Sequence, residues 1–221
     1  MKRVVCLLLA LLFWPGQANA TDVRSDAPGA VAFDVYMNGA RVGRHSVAVS
    51  QTGSDLRADV RIDMAGRVGP FAFTYAHRCQ ETWRAGALAA LSCEDREGRK
   101  THTLSARADG ARLAIDANGR SLAAPLDVLP STWWRASTTS ASNLLDTRNG
   151  KPLAIRVRSV GREEVATPAG PVAATRYRLE GSTTVDVWYD AMGRWVKMAF
   201  RLRGQSFEYK LATPPVEAPR G

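Results

Sequence analysis

FAFTYAHRCQETWRAGALAALSCED, residues 71–95, is the stretch on which the reading of the fold turns. Gly86 separates two runs of alternating residues, and Cys79 and Cys93 lie equally far to either side of it. A β-hairpin turning at Gly86 therefore sets the two cysteines opposite each other, where a disulfide could clamp the strands. The same register puts His77 opposite Asp95 and Glu81 opposite Leu91. Side chains alternate along a strand, so Phe71, Phe73, Tyr75, His77, Cys79, Glu81 and Trp83 share one face. That face is apolar except for an imidazole and a carboxylate.

The period-two pattern continues in both directions, with turn signals roughly every 8–12 residues. Val31, Phe33, Val35 and Met37 form one strand face, and Asn38-Gly39 is a type I′ hairpin signal. On the return strand Val42 is in phase but Val47 and Val49 have slipped by one, which places a bulge at Gly43. Leu56, Ala58, Val60, Ile62 and Met64 point inward, with Arg57, Asp59, Arg61 and Asp63 outward. Turns at Asp109-Gly110 and Asn118-Gly119 predict a meander pairing Leu104 with Ile115, Ala106 with Leu113 and Ile115 with Leu122. Strands resume over Leu153–Val160, Arg162–Pro171 reads as a turn or short edge hairpin, and a second meander follows from Ala173 to Leu211. Its expected pairs are Tyr177 with Val187, Val187 with Val196, Phe200 with Tyr209 and Leu202 with Phe207.

Between the meanders, residues 125–150 lose the alternation and carry Trp133 and Trp134. One or two short helices fit there, with Ser131 or Ser140 as N-cap and Asn149-Gly150 as the stop. The predicted fold class is all-β: antiparallel meanders of about a dozen strands forming a curved open barrel, a closed barrel or a sandwich. Residues 21–212 read as a single β-rich domain and residues 213–221, with their prolines, as a disordered tail.

Residues 1–20 read as a cleavable signal peptide: Lys2 and Arg3, an apolar run from Val4 to Trp14, then Ala18-Asn19-Ala20. The apolar run is too short to span a bilayer and no longer one follows, so the chain is not expected to be transmembrane. Cys6 lies inside the apolar run rather than in a lipobox. Removal of the signal leaves two of the three cysteines, and in an oxidising compartment, as expected of a periplasmic or secreted protein, they pair most simply as one disulfide. The formal charge of +9 falls to +7 without Lys2 and Arg3, a balance suited to an anionic envelope surface. Arginines are spread along alternating strand positions without a dense basic block, and nucleic acid is not an expected partner. No glycine-rich phosphate motif and no calcium-loop spacing occurs, and no cofactor or metal is expected.

The stretches FDVYMNGARVGRH, YAHRCQETWRAGAL, PSTWWR, LLDTRNGKPLAIRVRSVGREEV and VDVWYDAMGRWVKMAFRLRG, in that order, carry a family resemblance. The chain resembles a family of exported proteobacterial proteins catalogued as a domain of unknown function. The resemblance implies an envelope-located, β-rich protein, more distantly similar to lipoprotein carriers. It implies no activity and supplies no catalytic residues.

Two sets of residues stand out as ligand-binding candidates. His77 and Glu81 flank Cys79 on the inner face, where they would act as acid and base or orient a ligand; the plainer reading is a hydrogen-bonded structural cluster. Trp188 and Trp195 are expected opposite each other on the outer face, as an aromatic platform or covered by Trp133 and Trp134. Three functions follow. The leading one is a non-enzymatic carrier of a lipid or other apolar ligand in the curved sheet. The others are a protein-interaction module and an enzyme acting on an envelope lipid or glycan.

Overall fold

The computed structural model describes residues 29–217. A first meander comprises β1 (Gly29–Met37), β2 (Ala40–Thr52), β3 (Asp55–Val68), β4 (Phe71–Arg84), β5 (Ala87–Glu97), β6 (Lys100–Asp109), β7 (Arg112–Ala117) and β8 (Arg120–Pro125). A connecting segment holds β9 (Leu129–Pro130), a 3-10 turn at Ala136–Ser140, β10 (Asn143–Leu145) and β11 (Pro152–Ala154). The second meander is β12 (Arg156–Thr167), β13 (Gly170–Glu180), β14 (Val185–Asp190), β15 (Trp195–Leu202) and β16 (Gln205–Glu217).

Both meanders belong to one sheet. β16 pairs antiparallel with β1, which welds them into 13 strands in the order β12-β13-β14-β15-β16-β1-β2-β3-β4-β5-β6-β7-β8. The sheet is curved and open, with β8 and β12 as its edges. The connecting segment leads from one edge to the other and forms its own three-stranded sheet, β11-β10-β9.

Local chemistry explains the turns. Asn38 and Gly39 have φ of 50° and 86°, and Asn118 and Gly119 have φ of 55° and 77°, the left-handed pair that a two-residue hairpin needs. The slip on β2 arises as a bulge: Val35 pairs with Gly43 and Tyr36 with Arg41, leaving Val42 as the extra residue beside the expected position. It turns His45 and Val47 inward, where both are buried. Gly43 is required for a different reason. A Cβ there would sit 1.9 Å from the Asp63 carbonyl oxygen, so β2 and β3 could not keep their spacing. Gly43→Ala is expected to cost about 1–3 kcal/mol through strand displacement, measured as a lower urea midpoint. An unchanged midpoint would show that the two strands separate freely.

The central hairpin has the expected register: His77 opposite Asp95, Cys79 opposite Cys93, Glu81 opposite Leu91. Elsewhere several pairs shift by two. Ala106 faces Ile115 and Leu104 faces Ala117, because Asp109 pairs with Arg112 and the turn is Gly110-Ala111 rather than Asp109-Gly110. Val187 faces Met198, Phe200 faces Phe207 and Leu202 faces Gln205. A shift of two keeps each side chain on its face; Val196, skipped by a further register shift on β15, leaves the inner face for an outer cluster.

Other expectations are corrected. For Arg162–Pro171 the edge hairpin is the reading that holds, as the distal part of a longer β12–β13 hairpin whose reversal lies between Thr167 and Gly170. The strand expected over Leu153–Val160 is split between β11 and β12. Arg135, not Ser131 or Ser140, precedes the 3-10 turn and makes no side-chain cap. Asn149-Gly150 closes a turn around Asp146, whose carbonyl accepts both of their N–H groups, rather than ending a helix. Strand β16 runs on through Glu217, paired with Gly29, so the expected tail begins no earlier than residue 218. Residues 1–28, with the expected signal peptide, and 218–221 lie outside the described residues.

The inner face carries one continuous core that includes Phe33, Val35, Leu88, Leu104, Leu113, Leu145, Leu179, Trp195 and Tyr209. Its members come from both meanders and from the connecting segment, so burial of apolar surface holds the three together. No helix among the described residues is long and apolar enough to cross a membrane.

Candidate functional site

Strand β4 presents His77, Cys79, Glu81 and Trp83 to the interior, and all four are buried. The connecting segment lies against them, creating two polar clusters inside an otherwise apolar core.

The first surrounds His77. Its Nδ1 lies 3.4 Å from Asp95 Oδ1 on β5, and its Nε2 lies 3.1 Å from Cys79 Sγ and 3.3 Å from the Thr147 hydroxyl of the connecting segment. Tyr75 stacks parallel to the imidazole, with centroids 6.4 Å apart. Burial pushes the Asp95 carboxyl up, but the neighbouring His77 and Tyr75 outweigh it and hold the group below its ordinary range. Cys79 and Cys93 form the disulfide expected from their equal spacing about Gly86. Ligand atoms of His77, Cys79 and Cys93 come within 4.8 Å of one another, but both sulfurs are committed to the S–S bond.

The second cluster surrounds Glu81, 1% exposed. Its Oε2 accepts the indole N–H of Trp83 at 2.7 Å and that of Trp134 at 2.9 Å. Burial raises the carboxyl above its usual range, while Thr132, Trp134, Trp83 and the Arg135 charge act against that rise. The Arg135 guanidinium sits 3.9 Å from the Trp83 ring centroid and 5.5 Å from that of Trp134. Trp133, next in the chain, has a left-handed φ of 68°, costly for a bulky side chain. Tyr189 on β14 holds that conformation, its hydroxyl donating to the Trp133 carbonyl at 2.6 Å and lying 3.3 Å from that of Arg135.

The geometry therefore brings His77, Glu81 and Trp134 into one buried region, with Trp133 half-buried at its margin. An acid–base role for His77 and Glu81 needs a solvent-connected cleft. At 4% and 1% exposure they lie in the core instead, beneath the connecting segment.

The expected Trp188/Trp195 platform is not formed. A register shift between Trp188 and Tyr189 pairs Trp195 with Tyr189 and Trp188 with Lys197, which sends the two indoles to opposite faces. Trp195 stacks on Phe33 in the core, ring centroids 4.2 Å apart. Trp188 joins Val165, Ala174 and Val196 in a small outer cluster. Its indole N–H donates to Glu163 at 3.0 Å, with Arg176 and Lys197 over the ring. Both tryptophans are buried, and Trp134 covers Trp83 rather than either of them. The cause is the wide turn after Asp190, whose carboxylate accepts the Met192 and Arg194 N–H groups and draws in an extra residue.

Sequence reasoning missed His45, Arg135, Thr147 and Tyr189. For His45 a signal existed, since it is in phase with Val47 once the bulge is placed. An open groove of about 530 Å³ lies on the opposite, outer face, lined by polar side chains including Asp59, Arg61, Arg78, Gln80, Glu94 and Asp116.

The sequence profile described as "Domain of unknown function (DUF6134)" matches residues 33–212. Comparison with curated proteins found no match. Among solved structures, the chain is similar to a β-barrel-like protein of domain of unknown function DUF1849 from Brucella abortus. The TM-score is 0.66 at 9% identity, covering 87% of this chain and 99% of that one, a likeness of fold.

Proposed function

The chain belongs to the DUF6134 family, and we propose that it is a non-enzymatic binding protein of the cell envelope. It takes the apolar part of a lipid or similar molecule between its curved sheet and the Trp-bearing connecting segment.

The observation that carries this reading is how the open sheet is covered. Its edges, β8 and β12, are bridged by the segment that joins them in sequence rather than by a ladder of their own. That segment's backbone bonds run within itself, such as Ser131 N–H to the Leu145 carbonyl and Ile155 N–H to that of Ser142. It reaches the sheet through side chains: Trp134 to Glu81, Tyr189 to Trp133, Thr147 to His77, and Leu144 and Leu145 in the interior. A cover attached in this way can lift without breaking a sheet ladder, and the strained Trp133 marks where it would pivot. Apart from the His77 and Glu81 clusters, the inner face beneath it is aliphatic and aromatic, which suits an acyl chain.

Tyr189→Phe removes the hydroxyl that fixes Trp133. It should weaken the closed cover by about 1 kcal/mol and raise apparent affinity for a brominated fatty acid about fivefold, read as quenching of tryptophan fluorescence. Native mass spectrometry of protein isolated from its own cells should show a co-purified apolar molecule. The reading fails if neither protein is quenched, no adduct is present, and amides of residues 129–150 exchange as slowly as those of the sheet.

A further inference from the structure

We propose that the tip of the β3–β4 hairpin, with the turns beside it, docks the protein onto an anionic lipid bilayer. This does not depend on a ligand within the sheet.

The hairpin outreaches its neighbours. The ladder between β2 and β3 ends where Gly43 meets Met64, and that between β4 and β5 ends where Tyr75 meets Glu97. The β3–β4 ladder continues through Ala65–Thr74, Gly66–Phe73 and Arg67–Ala72 to Val68–Phe71. Four further rungs, at a rise of about 3.4 Å per residue, carry the tip roughly 13 Å beyond those pairings. The Arg67 guanidinium donates to the Pro70 carbonyl at 2.7 Å and so fixes the turn.

The tip is apolar where a solvated turn would be polar. Phe71 is 76% exposed and Val68 42%, with Pro70 exposed between them. The β15–β16 turn lies at the same end of the sheet, since Leu202 pairs with Gln205, Phe207 with Met37 and Met37 with Ala40. It adds Leu202, 43% exposed. Of the five large apolar side chains that stand exposed among the described residues, Val68, Phe71, Val160, Met192 and Leu202, three thus share one end.

That end is also cationic. Arg67, Arg99, Lys100, Arg201 and Arg203 are all exposed there. Glu97 is the acid among them, and Arg203 reaches it at 3.9 Å, bringing the β15–β16 and β5–β6 turns together. A small apolar point ringed by cations fits a bilayer interface. The aromatic and aliphatic groups enter the headgroup–acyl boundary, and the cations meet anionic headgroups. Three side chains on two turns are too little surface for a stable protein interface, which needs on the order of 1,000 Å².

The test is flotation of wild-type protein and of the Val68→Ser/Phe71→Ser variant, each isolated in the same N-terminally processed form. Vesicles of phosphatidylglycerol with phosphatidylcholine are compared with vesicles of phosphatidylcholine alone. Wild type should float with the anionic vesicles, at least tenfold less with the neutral ones, and lose that preference in high salt. The double variant should partition at least tenfold more weakly while melting at the same temperature, because both residues are exposed. Arg99→Ser/Lys100→Ser should lower binding to the anionic vesicles several-fold and leave the neutral ones unaffected. Absence of flotation, equal flotation of wild type and V68S/F71S, or a concentration-dependent dimer that the variant abolishes would each overturn the proposal. Fatty-acid quenching is measured without vesicles, so its failure would leave this result standing.

Discussion

Glu81→Ala is expected to destabilise the protein by about 3–5 kcal/mol and to loosen the Trp-bearing segment, the penalty typical of removing one partner from a buried charged network. The truncation leaves the indole N–H groups of Trp83 and Trp134 without their shared acceptor in the core. It also removes the carboxyl that faces Thr132 and Arg135. In fluorescence, Trp134 should become solvent-accessible and its emission move to the red before the sheet unfolds. Glu81→Gln keeps a carbonyl for the two indoles and should cost about 1–2 kcal/mol with the segment still docked. The carboxyl is raised in the fold, so its contribution is present below the unfolded value of 4.5 and is lost as pH rises through the folded value. Glu81→Gln should therefore lose less stability than wild type on going from pH 4.5 upward. A loss below 1 kcal/mol for Glu81→Ala, with unchanged emission, would show that the segment is held by apolar packing alone.

The same glutamate illustrates how far the sequence could be read. Its place on the inner face, opposite Leu91 and beside Cys79 and Trp83, followed from alternation about Gly86. Local rules fix such relations because strand period and hairpin turns act over a few residues. Its partners did not follow. Trp134 lies 53 residues away and Thr147, against His77, 70 residues away, across a segment with no period to place it. The pairing of β1 with β16 was hidden for the same reason: each meander was legible from its turns, but nothing local joins the two ends of the chain. The Trp188/Trp195 platform failed on one residue. The loop after Asp190 holds its carboxylate against the Met192 and Arg194 N–H groups, and a single-residue slip moves an indole from one face to the other. The all-β architecture tolerated several two-residue slips, whereas the candidate site could not tolerate a slip of one.

His45 sets the second large effect, a loss of stability in mild acid. The imidazole is 1% exposed and ringed by Trp195, Tyr209 and Phe33, at centroid distances of 5.1, 5.6 and 6.5 Å. Neither ring nitrogen has a hydrogen-bond partner among the described residues. Burial, with a smaller push from His77, drives its pKa down to about 3. The unfolded chain takes up a proton near pH 6.5 and the folded chain does not, so the unfolded state binds more protons between those values. Stability should therefore fall as pH drops from 6.5 toward 3, by about 3 kcal/mol between pH 7 and pH 4 from this one group. Asp95, held below its ordinary range, adds to the loss only below about pH 4, and Glu81 slopes the other way above 4.5. The comparison that isolates His45 is urea unfolding of wild type and His45→Leu across pH 4–7, where the other groups cancel. His45→Leu should match or exceed wild type at pH 7, since it removes two unpartnered nitrogens at similar volume. Its advantage should then widen by about 3 kcal/mol at pH 4. Parallel pH profiles for the two proteins would mean that the imidazole is protonated in the fold, and that the aromatic ring around it admits a counter-charge or water.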